Sequence, residues 1–359
     1  MGLKVRLTTV TVLASGACTF TGWWYRPIPD DGTDARGPQR TQYMSRYSLA
    51  DAADRPHPLL FQASSQFVIM VTAAVARTFL FLLGDCHIKK DEHHEAFLKA
   101  VTDREAGVPL LTVSNHRSLV DDPTIMSGVL PLWLAMQPKY NRYSVCSQEY
   151  AFNEKLPSLF HAYVGLGRVL PIKRGAGINQ KLLLDYARLV AAGEWCHVFP
   201  EGGIWQTDTI GGRNEGRRRI GKLKWGVGKL IAHAPKAPKV VPFFFTGTET
   251  IYPQHPDTKA VSNLVPIPGH RVHIRFGPEV QFQDLISEHE KKYGPLSHYH
   301  PSIEDETQAG ISAETEGGFH SHWDSKPENL MLYSKITMRI EQALEKLNGE
   351  SNAELALIK

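Results

Sequence analysis

Short apolar runs recur along the chain, bounded by Gly, Pro or charged residues, and between them lie segments with apolar positions at helical spacing. The runs predict strands over residues 109–113, 143–146, 168–172, 196–199, 240–245 and 271–276. The spaced segments predict helices over 92–101, 123–130, 153–163, 179–192 and 222–234. Such alternation argues for an α/β fold with a mixed, largely parallel central sheet flanked by helices. Farther on, Leu332, Ile336, Ile340, Leu344 and Leu347 fall on one face of a helix expected over 330–347, which would close the domain.

Three segments break the pattern. Residues 26–58 are rich in Pro, Gly, Asp and Arg and read as linker. Before them, Lys4 and Arg6 precede a diluted apolar stretch with no acid until Asp30, which has the features of a targeting sequence or of a simple extension. Residues 287–327, around Glu304-Asp305-Glu306, are acidic and polar and read as a mobile insertion. The expected organisation is an extension over 1–58, an apolar membrane-associated helix within 59–84, a core over 85–286, the acidic insertion over 287–327, and a closing helix and tail over 328–359.

The apolar helix centres on residues 67–83. It would be ~26 Å long at ~1.5 Å per residue, short of a ~30 Å hydrocarbon core. Arg77 lies inside it. A mid-bilayer Arg costs a few kcal/mol or more, whereas in a shallow interfacial helix it can reach the headgroups. An interfacial anchor therefore fits better than a clean span, with a buried core helix as the alternative.

The candidate chemistry sits where strands end. The run 109–113 leads into Ser114-Asn115-His116-Arg117-Ser118-Leu119-Val120-Asp121-Asp122-Pro123. A His with a carboxylate five positions on can be a general base with its orienting acid. The same spacing occurs at His300 and Asp305, but no strand precedes that pair. A second strand delivers Lys173 and Arg174 beside Gly175, and a planar guanidinium suits phosphate. A third ends in Phe199-Pro200-Glu201-Gly202-Gly203, whose carboxylate can accept hydrogen bonds and whose glycines admit a ligand close to the backbone. A fourth carries Val241-Pro242. In an open α/β sheet all four would share the ligand-binding edge.

This set resembles the glycerophospholipid acyltransferase superfamily, over roughly residues 60–282 and the last helix. The doubled acid Asp121-Asp122, the stretch Cys146-Ser147-Gln148-Glu149 and the stretch Lys224-Trp225-Gly226-Val227-Gly228-Lys229-Leu230-Ile231 are similar to its cardiolipin-remodelling branch in particular. The resemblance implies a single acyltransferase domain in which His116 is the base and Asp121 orients it. It implies that Asn115, Arg117 and Ser118 line the substrate, that Arg174 contacts the acceptor's phosphate, and that Glu201 and Gly202 help bind the glycerol backbone. It further implies transfer without coenzyme A from a phospholipid such as phosphatidylcholine to a lysophospholipid such as monolysocardiolipin, giving cardiolipin, on a mitochondrial membrane facing the intermembrane space. An acyl-coenzyme-A-dependent acyltransferase would use the same His and Asp, so the motifs leave that alternative open, along with a non-catalytic membrane-binding protein or a soluble hydrolase.

Charge and cysteines narrow the classes. The net charge of +3 over 359 residues is too small to argue for nucleic acid, and none is expected as a partner. The distribution matters more: Arg213, Arg217, Arg218, Arg219, Lys222, Lys224 and Lys229 face one acid, Glu215. Such a cluster attracts anionic lipid at ~1 kcal/mol per basic residue near the surface, or is simply a solvated loop. The four cysteines are widely spaced, with no metal spacing and no disulfide framework expected. His93-His94 and the other His pairs lack a ligand set, so no metal or other cofactor is expected. A homo-oligomer stays open.

Overall fold

The apolar runs become strands buried on both faces, and the amphipathic stretches become the helices that cover them. The computed structural model describes residues 56–152, 155–206, 223–255, 258, 261–262, 265–299 and 325–358, with 16–18 and 20. In chain order the elements are α1 (Leu59–Phe81), β1 (Asp85–Ile88), α2 (Glu92–Thr102), β2 (Leu110–Ser114), α3 (Asp121–Gly128) and α4 (Leu132–Ala135). There follow β3 (Ser144–Ser147), α5 (Gln148–Ala151), α6 (Ser158–Leu166), β4 (Val169–Ile172), α7 (Lys181–Ala191) and β5 (Trp195–Val198). The chain continues through α8 (Gly226–Ala232), β6 (Lys239–Thr246), β7 (Arg271–Phe276), α9 (Gln283–Tyr293) and α10 (Pro327–Ile358).

The main sheet has the order β1-β7-β6-β2-β5. β2 pairs parallel with both β5 and β6, β1 pairs parallel with β7, and β6 and β7 are antiparallel. The parallel ribbon β3-β4 continues the sheet at Tyr143, just before β3. Its N–H donates to Trp195 O at 2.7 Å, and its carbonyl accepts from His197 N at 2.8 Å. The buried Tyr186 hydroxyl lies 3.0 and 2.7 Å from the Tyr143 and His197 carbonyls and clamps the joint. The result is the mixed, largely parallel sheet that the alternation predicts.

Side chains alternate across a strand, so each strand feeds two layers. Val240 and Phe244 join Leu111 and Val113 under α7, α8 and α10. Val241, Phe243 and Phe245 join Leu110 on the other face, under α1, α2 and α3. A strand buried on both sides reads as a continuous apolar run, as 109–113 and 240–245 do.

Two boundaries differ from expectation, and one strand was not expected at all. The mobile insertion expected from 287 begins inside a helix: α9 runs to Tyr293 and is tied to α10 by paired Asp284–Arg339 bonds of 2.6 Å. Leu296 and Tyr299 are buried beyond it. The closing helix extends past 347 to Ile358, held by polar groups: Arg275 contacts Glu350 at 2.8 Å and Glu354 at 2.5 Å, and Lys89 also pairs with Glu354. Strand β1 is too short, and too mixed in polarity, to stand out in the sequence. Arg213, Arg217, Arg218, Arg219 and Lys222, most of the segment before residue 56, and residues 300–324 lie outside the described residues.

α8 crosses α10 at Gly228, where a Cβ would meet Tyr333 O at 2.3 Å and Thr337 Oγ1 at 2.8 Å. Gly228→Ala should therefore cost about 1–3 kcal/mol of stability in urea unfolding. Gly226→Ala, whose Cβ would find Leu183 at an ordinary 3.5 Å, should cost far less.

Candidate active site

β2, β3, β4, β5 and β6 run in one direction, so their carboxyl ends open on one edge, where ligands bind in α/β sheets. The structure brings His116 to that edge from β2, Arg174 from β4 and the segment Phe199–Gly203 from β5.

The turn after β2 is built around one oxygen. Asp121 Oδ2 accepts from His116 Nδ1 at 2.8 Å, from Arg117 N at 2.6 Å and from Ser118 N at 2.7 Å. Asp121 is fully buried in the first turn of α3, where a carboxylate also meets the positive end of the helix. An ionised carboxylate only accepts, so the imidazole proton sits on Nδ1 and the Nε2 lone pair faces away. The His116 side chain keeps 19% of its surface exposed, so this lone pair can take a proton from a ligand. The neighbouring acid has another task. Asp122 pairs bidentately with Arg142, with Nε–Oδ1 at 3.1 Å, and accepts from Ser144 Oγ at 3.0 Å, pinning α3 to β3.

His116 is held by three further contacts, one on its ring and two on its backbone. Phe199 stacks on the ring at 4.2 Å with an 18° tilt. Glu201 Oε1 accepts from His116 N at 2.7 Å, and Trp205 N donates to His116 O at 2.9 Å. Behind Phe199 lies the fully buried His197, whose ring nitrogens meet Thr112 Oγ1 at 2.9 Å and Ser114 Oγ at 3.3 Å. Burial pushes its pKa down to about 3, so it stays neutral and adds no charge behind the site.

The exposed Arg174 lies across the opening. Its guanidinium donates to Gly202 O at 3.3 Å and covers the Tyr150 ring at 5.0 Å. Gly202 has φ 66°, and a Cβ there would meet Lys224 Cγ at 2.9 Å. Two basic side chains thus flank one glycine, an arrangement suited to a phosphate.

Several residues expected to line the substrate are spent on the scaffold. Asn115 is buried, with its side-chain amide exchanging hydrogen bonds with the Phe245 backbone at 2.8 and 3.0 Å, which extends the β2–β6 ladder. Arg117 is buried and donates to Trp205 O at 3.2 Å, and Ser118 is fully buried. Glu201 is buried against the His116 backbone, so it shapes the turn that glycerol was expected to meet. Arg77, expected at headgroups, points inward and donates to the Gly128 and Leu130 carbonyls at 3.1 and 2.7 Å. Lys224 stands at the site itself.

Sequence reading missed Phe199 as the ring under His116, Trp205 as its backbone partner and Tyr150 under Arg174. All three lie in or just after a quoted stretch: Phe199 within 199–203, Trp205 two residues beyond it and Tyr150 directly after 146–149. Among the described residues, no three His, Cys, Asp or Glu side chains gather as a metal site.

With that geometry in place, known proteins supply the class. The family model described as Acyltransferase matches residues 92–246, from α2 through β6. The chain is 31% identical to a Drosophila melanogaster protein named Tafazzin over 255 residues, 70% of this chain and 61% of that protein. It is 31% identical to the N-acylphosphatidylethanolamine synthase of Arabidopsis thaliana over 215 residues, 60% of this chain and 70% of that one. It is 26% identical to the Tafazzin of Saccharomyces cerevisiae over 302 residues, 74% and 76% of the two chains. The match thus spans less than two thirds of the fly protein's own length. The chain belongs to the acyltransferase family.

Two predictions follow from these contacts. Asp121→Asn places an amide donor among three N–H groups, so turnover should fall ~10²–10⁴-fold while lipid affinity changes little. Kinetics and vesicle binding in parallel check this; lost affinity with turnover retained would remove the orienting role. Second, burial holds His197 at about 3 and His233 at about 4, below the ~6.5 of an unfolded chain. Between those values the unfolded state binds the extra protons, so stability should be flat above about pH 7 and fall as pH drops. The slope should be at most about 1.4 kcal/mol per pH unit for each histidine, read by urea unfolding across pH.

Proposed function

We propose that the chain is a coenzyme-A-independent transacylase that moves an acyl chain from a phospholipid, such as phosphatidylcholine, to a lysophospholipid, such as monolysocardiolipin. The observation that carries the acyl-transfer step is the 2.8 Å bond from His116 Nδ1 to Asp121, which leaves Nε2 open to the substrate, and the choice of a phospholipid donor rests on the similarity to the two Tafazzin relatives. His116 Nε2 takes the proton of the acceptor hydroxyl. The alkoxide adds to the acyl carbonyl of the donor ester, and the tetrahedral species expels the donor's glycerol oxygen. His116 returns its proton to that oxygen, so no proton is gained or lost over the cycle. General-base help of this kind is worth ~10²–10⁴-fold. Arg174 and Lys224, on either side of Gly202, hold the acceptor's phosphate.

The reading extends to a mitochondrial membrane, which the two Tafazzin relatives support, and to a domain on its intermembrane-space side. Helix α1 supports attachment, since among the described residues it is the helix long and apolar enough to cross a membrane, and it lies against the domain. The plant relative's name favours a second reading, in which the attacked carbonyl accepts the amine of phosphatidylethanolamine.

Purified protein should move label from acyl-labelled phosphatidylcholine into cardiolipin in bilayers containing monolysocardiolipin, without coenzyme A. His116→Ala should abolish transfer and keep the fold. Transfer appearing only once an acyl-coenzyme A is added would sink the transacylase reading. Label in an N-acylated lipid, when phosphatidylethanolamine is present, would establish the amine acceptor.

A further inference from the structure

A second cavity opens at the amino ends of the strands, on the sheet edge opposite His116. Tyr143, Arg168 and Glu194 stand immediately before β3, β4 and β5, and all three line it. Gly107, shortly before β2, closes the row. The cavity holds about 440 Å³, within the ~300–1,000 Å³ of small-molecule sites. His116, Arg174 and Lys224 take no part in its wall.

Arg168 is the unsatisfied member. It is 8% exposed, yet its Nε has no hydrogen-bond partner among the described residues. Its Nη1 makes one long bond, 3.5 Å to Asn141 O, and its Cζ lies 5.0 Å from the centre of the Tyr143 ring. The other guanidinium on the wall differs. Arg104 spends Nε, Nη1 and Nη2 on the carbonyls of Val108, Ala100 and Gly193. A buried guanidinium with idle donors is costly until an acceptor completes it. Arg168 also has φ 63°, the one left-handed backbone of a residue other than glycine among the described residues. Glycine suits that conformation best, so an arginine there is explained by its side chain.

Glu194 brings the opposite charge. Burial raises its pKa, and Arg168 and then Arg104 lower it through space, with no hydrogen bond to its carboxylate. Arg168 and Glu194 thus share one cavity with no ion pair between them. The rest of the polar wall does not supply either partner. His57 Nε2 lies 2.7 Å from the Tyr143 hydroxyl, and burial, with Arg168 adding to it, holds its pKa down to about 3. Glu105 is turned to solvent, 4.0 Å from Lys236. The exposed Lys139 lies over the Tyr140 ring at 5.0 Å and adds a second cation. Aliphatic lining is confined to Pro56, Val101 and Ala106, too little to house an acyl chain.

We infer that this cavity binds a small dissolved zwitterion, with a phosphate on the Arg168 guanidinium and an ammonium group on the Glu194 carboxylate. A guanidinium fork suits a phosphate and a carboxylate suits a cation, so one ligand completes both charges.

The test is calorimetric titration of the full chain with O-phosphoethanolamine, inorganic phosphate and ethanolamine. O-phosphoethanolamine should bind about tenfold or more tightly than either half, since its two groups engage together. Arg168→Gly, which suits the left-handed backbone, should weaken both phosphate-bearing ligands about tenfold or more. Glu194→Gln should weaken O-phosphoethanolamine by a similar factor and leave inorganic phosphate unchanged or tighter. This second variant keeps the inference open to refutation if Arg168→Gly does not fold. Arg174→Ala should leave the Arg168-dependent binding as it is. No binding of O-phosphoethanolamine would overturn the inference, as would a folded Glu194→Gln variant that binds it like the unaltered chain. Binding lost in Arg174→Ala but kept in Arg168→Gly would overturn it too, by moving the ligand to the catalytic edge. Lysophosphatidylethanolamine below its micellar concentration should bind at this cavity no better than O-phosphoethanolamine. Much tighter binding that Arg168→Gly abolishes would make a lipid headgroup the ligand and overturn the dissolved one.

Discussion

The site depends on one buried oxygen. Asp121 Oδ2 takes three N–H donors, two from the backbone and one from the imidazole, and the chain wraps around it to leave β2 and begin α3. Charge-assisted bonds of this length are about twice as strong as neutral ones. The same anion therefore sets the path of the turn, the tautomer of His116 and the direction of Nε2. A carboxylate this deeply buried would be costly without such partners.

The rest of the edge reinforces that turn from neighbouring strands. Phe199 fixes the imidazole plane from β5, and Glu201 holds its backbone N–H. Asn115 fixes the start of the turn to β6. Asp122 and Arg142 anchor the start of α3 to β3. Residues that look like substrate ligands in a linear motif thus work mainly on one another. His116, Arg174 and Lys224 are basic side chains of this edge that keep surface open to solvent.

The helical layers differ in what binds them. α8 and α10 meet closely enough that a Cβ at Gly228 would force them apart, and the contact is buried from solvent. The far end of α10 instead lies on the β1–β7 edge through Glu350 and Glu354 and their basic partners. Opposite, α1 has one packed face and one apolar exposed face, so this layer ends on a surface that water does not favour.

Much of the architecture was legible along the chain because its physics is local. Strands buried on both faces must be runs of apolar residues, and helices that cover them must repeat at helical spacing, so the α/β class and most elements could be read directly. His116 and Asp121 were legible too, because the five-residue spacing that lets them meet is spanned by a single turn. What lay beyond reach depends on neighbours distant in sequence. Arg174, Lys224 and Gly202 converge only once β4, β5 and α8 are assembled. α9 offers only Leu285 and Ile286 to the core beside its ion pair to α10, and the last turns of α10 are held by ion pairs, so little apolar period is left to detect. Asn115, Arg117 and Glu201 carry the same letters whether they face a ligand or a backbone. Sequence determined which groups stand at the carboxyl ends of the strands; tertiary structure decided which of them are consumed by hydrogen bonds and which stay open, because that depends on where the facing carbonyls and amides lie.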